Sequence, residues 1–112
     1  MLPTKNRLKK EDFSTILKKG RFLHGQNLYI KYLKSENIDD ISRFSIVVPA
    51  KVQKTSVGRH LVKRRVSATV EKLLKSSKPQ YLCAFFVKTK EENGKILGQE
   101  TEELLKKAGI LN

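Results

Sequence analysis

The chain has 112 residues, 31% of them charged and 38% apolar, with 24 Lys+Arg against 11 Asp+Glu. That length predicts a single domain over residues 1–112 with one modest core, and excludes a substrate domain beside a catalytic one. A formal charge of +13 points to a polyanionic partner, nucleic acid before an anionic membrane surface, and a single Cys excludes an intramolecular disulfide or a Cys-rich zinc site.

Asn6 to Lys10 opens the chain with basic residues. Lys10 to Lys19 follows as a short helix, with Phe13, Ile16 and Leu17 on one apolar stripe. Lys18 and Lys19 occupy its last turn, and Gly20 ends it as a C-terminal glycine. Leu28 to Leu33 is a strand with Leu28, Ile30 and Tyr32 on one side and Tyr29 and Lys31 on the other. A polar, acidic loop, Ser35 to Asp40, leads to a β-branched strand, Phe44 to Val48, stopped by Pro49. Ser56 to Lys75 is the longest predicted helix, capped by Thr55 or Ser56 and ended by Ser76, Ser77 and Pro79. Tyr81 to Val87 is nearly all apolar, which predicts a central strand covered on both faces. A turn at Lys90 to Gly94 precedes a last helix, Glu100 to Lys107, with acids in its first turn and Lys106 and Lys107 in its last. This order predicts a small α+β protein, a sandwich of helices on a short mixed sheet.

The charge is concentrated. Residues 1–70 carry 16 basic and 5 acidic side chains, whereas residues 71–112 carry 8 and 6. No acid falls between Ile41 and Val70, a stretch holding Arg43, Lys51, Lys54, Arg59, Lys63, Arg64 and Arg65. On the long helix, Val62, Val66, Thr69, Val70 and Leu73 share the sector that faces the core. Ser56, Arg59, His60, Lys63, Arg64 and Ser67 fill the adjoining sector, and Arg65 lies on the other flank. Arg59 and Lys63, four residues apart with no acid between them, repel unless an external anion is present. Arg forks onto phosphate and the helix N-terminus adds free N–H groups. Five cations on phosphates would give a log K against log salt slope of roughly −3.5.

These residues resemble the protein component of bacterial ribonuclease P. The match opens with Asn6, Arg7, Leu8, Lys9 and Lys10, continues through Asp12, Phe13, Ile16 and Leu17 to Gly20, and resumes at Lys51 before Arg59, Lys63 and Arg64 of a signature basic helix. His60 stands in place of the family's Asn, and Leu61 and Ser67 in place of Arg, so fewer helix contacts are expected, with Arg65 compensating in part. The resemblance implies a two-layer α/β sandwich, a mixed sheet of about four strands with three helices and a left-handed βαβ crossover. It further implies the protein subunit of a ribonucleoprotein endonuclease that removes the 5′ leader from precursor tRNA. The RNA is then the catalyst and uses Mg²⁺, and the protein supplies no catalytic residue and binds no metal of its own. The implied partners are the catalytic RNA, at Asn6, Arg7, Lys9, Lys10, Lys51, Lys54, Arg59, His60, Lys63, Arg64 and Arg65, and the single-stranded leader, in a cleft at Phe13, Leu17, Tyr29 and Lys31. Neither a small-molecule substrate nor a membrane is expected. The N-terminus lacks the apolar core of a signal peptide and no apolar run reaches membrane-helix length, so the expected compartment is the cytoplasm. The alternative is a non-enzymatic structural RNA-binder such as a small ribosomal protein.

Overall fold

The computed structural model describes residues 2–111. Its α-helices and strands run α1 (Lys10–Lys19), β1 (Arg21–His24), β2 (Leu28–Lys34), β3 (Arg43–Val47), α2 (Ser56–Leu73), β4 (Tyr81–Val87) and α3 (Gly94–Lys107). Short 3-10 turns at Thr4–Asn6 and Leu74–Ser76 add to them. The strands form one sheet in the order β1-β2-β4-β3, antiparallel except for the parallel pair β3 and β4.

Each strand places alternate residues on opposite faces. Leu28 and Ile30, Phe44 and Ile46, and Cys83, Phe85 and Val87 point one way, where Val62, Val66 and Val70 of α2 and Leu97, Leu104 and Leu105 of α3 bury them in the main core. On the other face, α1 lays Ile16 onto Leu82 and Ala84, with Leu8, Phe13, Leu33 and Phe86 around them. Two helices thus make a full layer on one side. α1 crosses only part of the other and leaves the rest of that face open.

Backbone hydrogen bonds fix the hand of the β3–α2–β4 crossover. Lys88 N donates to Asn27 O (2.8 Å) and Ser35 N to Gln80 O (2.6 Å), so even-numbered residues of β4 bond toward β2 and odd-numbered ones toward β3. The odd residues face α2. On an upward strand of L-residues whose side chains face the viewer, N–H and C=O point right. Viewed from α2, β3 therefore lies to the right of β4. The chain climbs β3, descends α2 in front and climbs β4 to the left. That is the left-handed crossover the family resemblance implies, against the strong right-handed rule.

Beyond shifts of one or two residues at the ends of β2, β3 and α2, the structure departs from the sequence reading at β1, at the start of α3 and in the conformation of Gly20. β1 was not predicted, and it forms a hairpin with β2. α3 begins at Gly94 rather than Glu100, because Asn93 Oδ1 accepts from Lys95 N (2.9 Å) and Ile96 N (3.2 Å) and caps the helix there. The acids from Glu100 to Glu103 consequently sit in its middle, not in its first turn. Gly20 does end α1, but with φ −69° and ψ 151° rather than in a left-handed conformation. A Cβ at Gly20 would lie 2.4 Å from the Ile16 carbonyl oxygen, so close backbone approach is what calls for glycine there.

Candidate nucleic-acid interface

The predicted basic residues divide into two groups. The arginines mostly serve as internal clamps. Arg59 Nη1 donates to the carbonyls of Gln53 (2.9 Å) and Lys54 (3.1 Å), and so pins the loop that carries Lys51 and Lys54 against the start of α2. Arg65 Nη1 donates to the Glu92 carbonyl ahead of α3. Arg7 Nε donates to Leu2 O (2.9 Å) and Asn6 Nδ2 to Ser42 O (3.0 Å), which fastens the N-terminal segment along β3. Arg43 forks onto Asp12 of α1, at 3.0 and 3.1 Å.

The second group is unspent. Lys51, Lys54, His60, Lys63 and Arg64 are exposed and have no acceptor among the described residues. So is Lys10, and Lys9 is exposed beside it with its charge also acting on Asp12. Lys63 joins two neighbouring grooves. One is lined by Val48, Ser56, Arg59 and His60, the other by Leu2, Arg7, Leu8 and Ser67. The fold therefore brings the N-terminal basic residues and the α2 flank onto one surface, although they lie about fifty positions apart in the chain. Ser67 lines the second groove, on the flank assigned to it, but is buried there rather than exposed.

The four cleft residues lie on and beside the open sheet face. Tyr29 and Lys31 project from β2, and Phe13 leans on the minor core from α1. Leu17 is 57% exposed, so it is no core residue. Sequence reasoning missed three rings beside them. Phe22 and His24 of β1 and Phe86 of β4 flank Tyr29, with Phe22 at 5.1 Å and 12° on one side and Phe86 at 4.8 Å and 8° on the other. His24 stacks on Phe22 at 4.7 Å, and Lys31 Nζ lies 4.8 Å from the centroid of the Phe22 ring. Such near-parallel, offset rings attract one another. They also cover both faces of Tyr29. A base has access to the rims and outer faces of the row, the Tyr29 hydroxyl and the Lys31 ammonium, not to a bare Tyr29 face. The Phe-x-His spacing at 22 and 24 was the available signal for this row. Phe86 was hidden in an all-apolar strand, most of which is covered on both faces as predicted.

The hairpin that carries this row is held from α3. The Glu100 carboxylate accepts from Asn27 N (2.9 and 3.0 Å) and Leu28 N (2.5 Å), which fixes the turn between His24 and Tyr29. Asp12 likewise closes the α1 side. Burial works against its charged form, but hydrogen bonds from the Arg43 side chain and the Lys9 backbone, with the Arg43 charge, prevail and hold it below the ordinary carboxylate range. The same bond to Asp12 raises Arg43 further. Burial alone pushes the Cys83 thiol up and keeps it unreactive. Among the described residues no helix is long and apolar enough to cross a membrane.

A cationic helix flank beside a half-open aromatic sheet face defines a nucleic-acid-binding protein of the α+β class. A family model described as Ribonuclease P matches residues 2–109, and the chain belongs to the family of ribonuclease P protein components. The ribonuclease P protein component of Synechococcus elongatus is 31% identical over 117 residues, covering 99% of this chain and 96% of the relative. That of Nostoc punctiforme is 28% identical with the same coverage. A solved ribonuclease P protein from Staphylococcus aureus superposes with a TM-score of 0.79 at 27% identity, covering 100% of this chain and 97% of its own. One from Thermotoga maritima shares the fold, with a TM-score of 0.78 at 22% identity, covering 90% and 96%. RNA binding and tRNA processing are the functions of a ribonuclease P protein subunit, and the matches favour this over a ribosomal protein.

Proposed function

We propose that the chain works inside the ribonuclease P holoenzyme through two separate surfaces. The flank of α2, with the Lys51–Lys54 loop and the N-terminal basic residues, docks on the catalytic RNA. The open sheet face receives the single-stranded 5′ leader of precursor tRNA. The observation that carries this reading is the aromatic row beside Lys31 on a face that α1 leaves uncovered. Rims, stacked rings and an ammonium suit an unpaired strand of any sequence, as a subunit serving many precursors requires.

In this reading the RNA performs the hydrolysis. Water adds at the phosphorus between leader and tRNA, and the bond to the leader's 3′ oxygen breaks. The products are a leader with a 3′ hydroxyl and a tRNA with a 5′ phosphate. The protein contributes binding energy and position. Its residues do not suit a Mg²⁺ site of their own. No three His, Cys, Asp or Glu gather among the described residues, and Asp12 and Asp40 are both engaged with Arg43. In this account Mg²⁺ belongs with the RNA, as the family resemblance implies, and the compartment is the cytoplasm.

The test compares holoenzyme affinity for precursor and mature tRNA. Tyr29→Ala breaks the row, and should weaken precursor binding by about five- to a hundredfold, the equivalent of 1–3 kcal/mol for lost base contacts, while sparing mature tRNA. Equal weakening for both forms would remove the leader assignment.

A further inference from the structure

We infer that a second RNA contact lies at the end of the sheet away from Tyr29, in a cavity of about 360 Å³ lined by Lys19, Arg21, Tyr32, Lys34, Tyr81 and Ala108 among others. Its ligand is one unpaired nucleotide of the RNA component. The inference rests on the reading that this chain docks on that RNA, and adds a site separate from both surfaces described above.

The sheet register assembles the site. Arg21 stands opposite Tyr32, and Lys34 opposite Tyr81, so each cation is paired across the strands with a tyrosine. Both tyrosines pack against the main core, and their hydroxyls have no partner among the described residues. Lys19, Arg21 and Lys34 are exposed and likewise lack an acceptor there. No acid lines the cavity. The adjoining groove does contain acids: Arg43 holds Asp12 and Asp40, and Glu36 is exposed on its rim, outside the cavity lining. Three unspent cations around two phenols form a receptor for phosphate with a planar group attached. The volume falls at the lower end of the roughly 300–1,000 Å³ range of small-ligand pockets, the scale of one nucleotide. Tyr32 follows Tyr29 by three residues, about 10 Å along the strand, and lies on the opposite face. One nucleotide cannot fill both sites.

The test is equilibrium binding of the whole protein to ribonuclease P RNA from its own source across a range of salt. Arg21→Ala with Lys34→Ala should weaken binding about tenfold and flatten the log K against log salt slope by roughly 1.4, for two single-strand phosphate contacts. Arg21→Lys with Lys34→Arg should restore the slope. Tyr32→Phe keeps ring and charge, and should weaken binding about threefold with the slope unchanged. The preference for precursor over mature tRNA should stay at its wild-type value in all of them. Unchanged affinity and slope in the double alanine variant, with Lys63→Ala still weakening the complex, would overturn the cavity assignment alone. No effect from either would overturn it together with the docking reading. Adenosine 5′-monophosphate binding that the double variant loses, at unaltered RNA affinity, would overturn RNA as the ligand.

Discussion

Asp12 has two tasks. Its carboxylate accepts from Lys9 N at 2.8 Å, which closes the first turn of α1, and takes the Arg43 fork that ties α1 to β3. Because its folded pKa lies below the ordinary value of 3.8, this stabilisation is complete above that value and fades as pH falls through the lower, folded one. Asp12→Asn should therefore cost about 2 kcal/mol in urea unfolding at neutral pH, by removing the carboxylate that takes the Arg43 fork and leaving Arg43 only the longer contact to Asp40. The deficit should shrink in acid, and an equal deficit at both pH values would contradict the linkage. Arg59 and Lys63 make a second contrast. The i, i+4 spacing marked both as phosphate ligands, because spacing reports position on a helix and not what a long side chain reaches. Arg59 reaches back to its own loop. Arg59→Ala should lower stability by about 1 kcal/mol along with RNA affinity, whereas Lys63→Ala should lower affinity alone. Thermal unfolding beside RNA titration separates the two.

The elements that the sequence concealed are the short and glycine-marked ones. RFLH is four residues between Gly20 and Gly25, too brief for alternation to stand out, and its strand character comes from pairing with β2. The first turns of α3 contain Gly94 and Gly98, poor helix formers by propensity. Packing requires the second of them, since a Cβ at Gly98 would lie 2.7 Å from Thr69 Oγ1 of α2. The long periodic elements, α1, α2 and β2, were legible because one buried face imposes its period on many residues. Gly20→Ala should destabilise the fold by about 1–2 kcal/mol, as the backbone must shift away from Ile16 O. Glu100→Ala strips both turn amides of their acceptor. It should loosen the hairpin that presents His24 and Tyr29, seen as faster amide exchange at Asn27 and Leu28 with α1 unaffected.

At the scale of the whole molecule, a formal +13 on 112 residues is a cost to folding that a polyanion offsets. The fold distributes this charge with economy: several arginines fasten loops and termini, and lysines of the same acid-free stretch stay free around α2. Composition alone pointed to a polyanionic partner, nucleic acid before a membrane surface, and the N-terminal and central motifs together pointed to the family and its RNA. The aromatic row was legible only in part, because its rings come from three strands whose order in the sheet is a tertiary fact. The most direct test of the central claim is cleavage of precursor tRNA by ribonuclease P RNA from the same source at low Mg²⁺, with and without this protein. The account predicts that the protein restores leader removal at the mature 5′ end. Tight binding to that RNA with no gain in cleavage would contradict it.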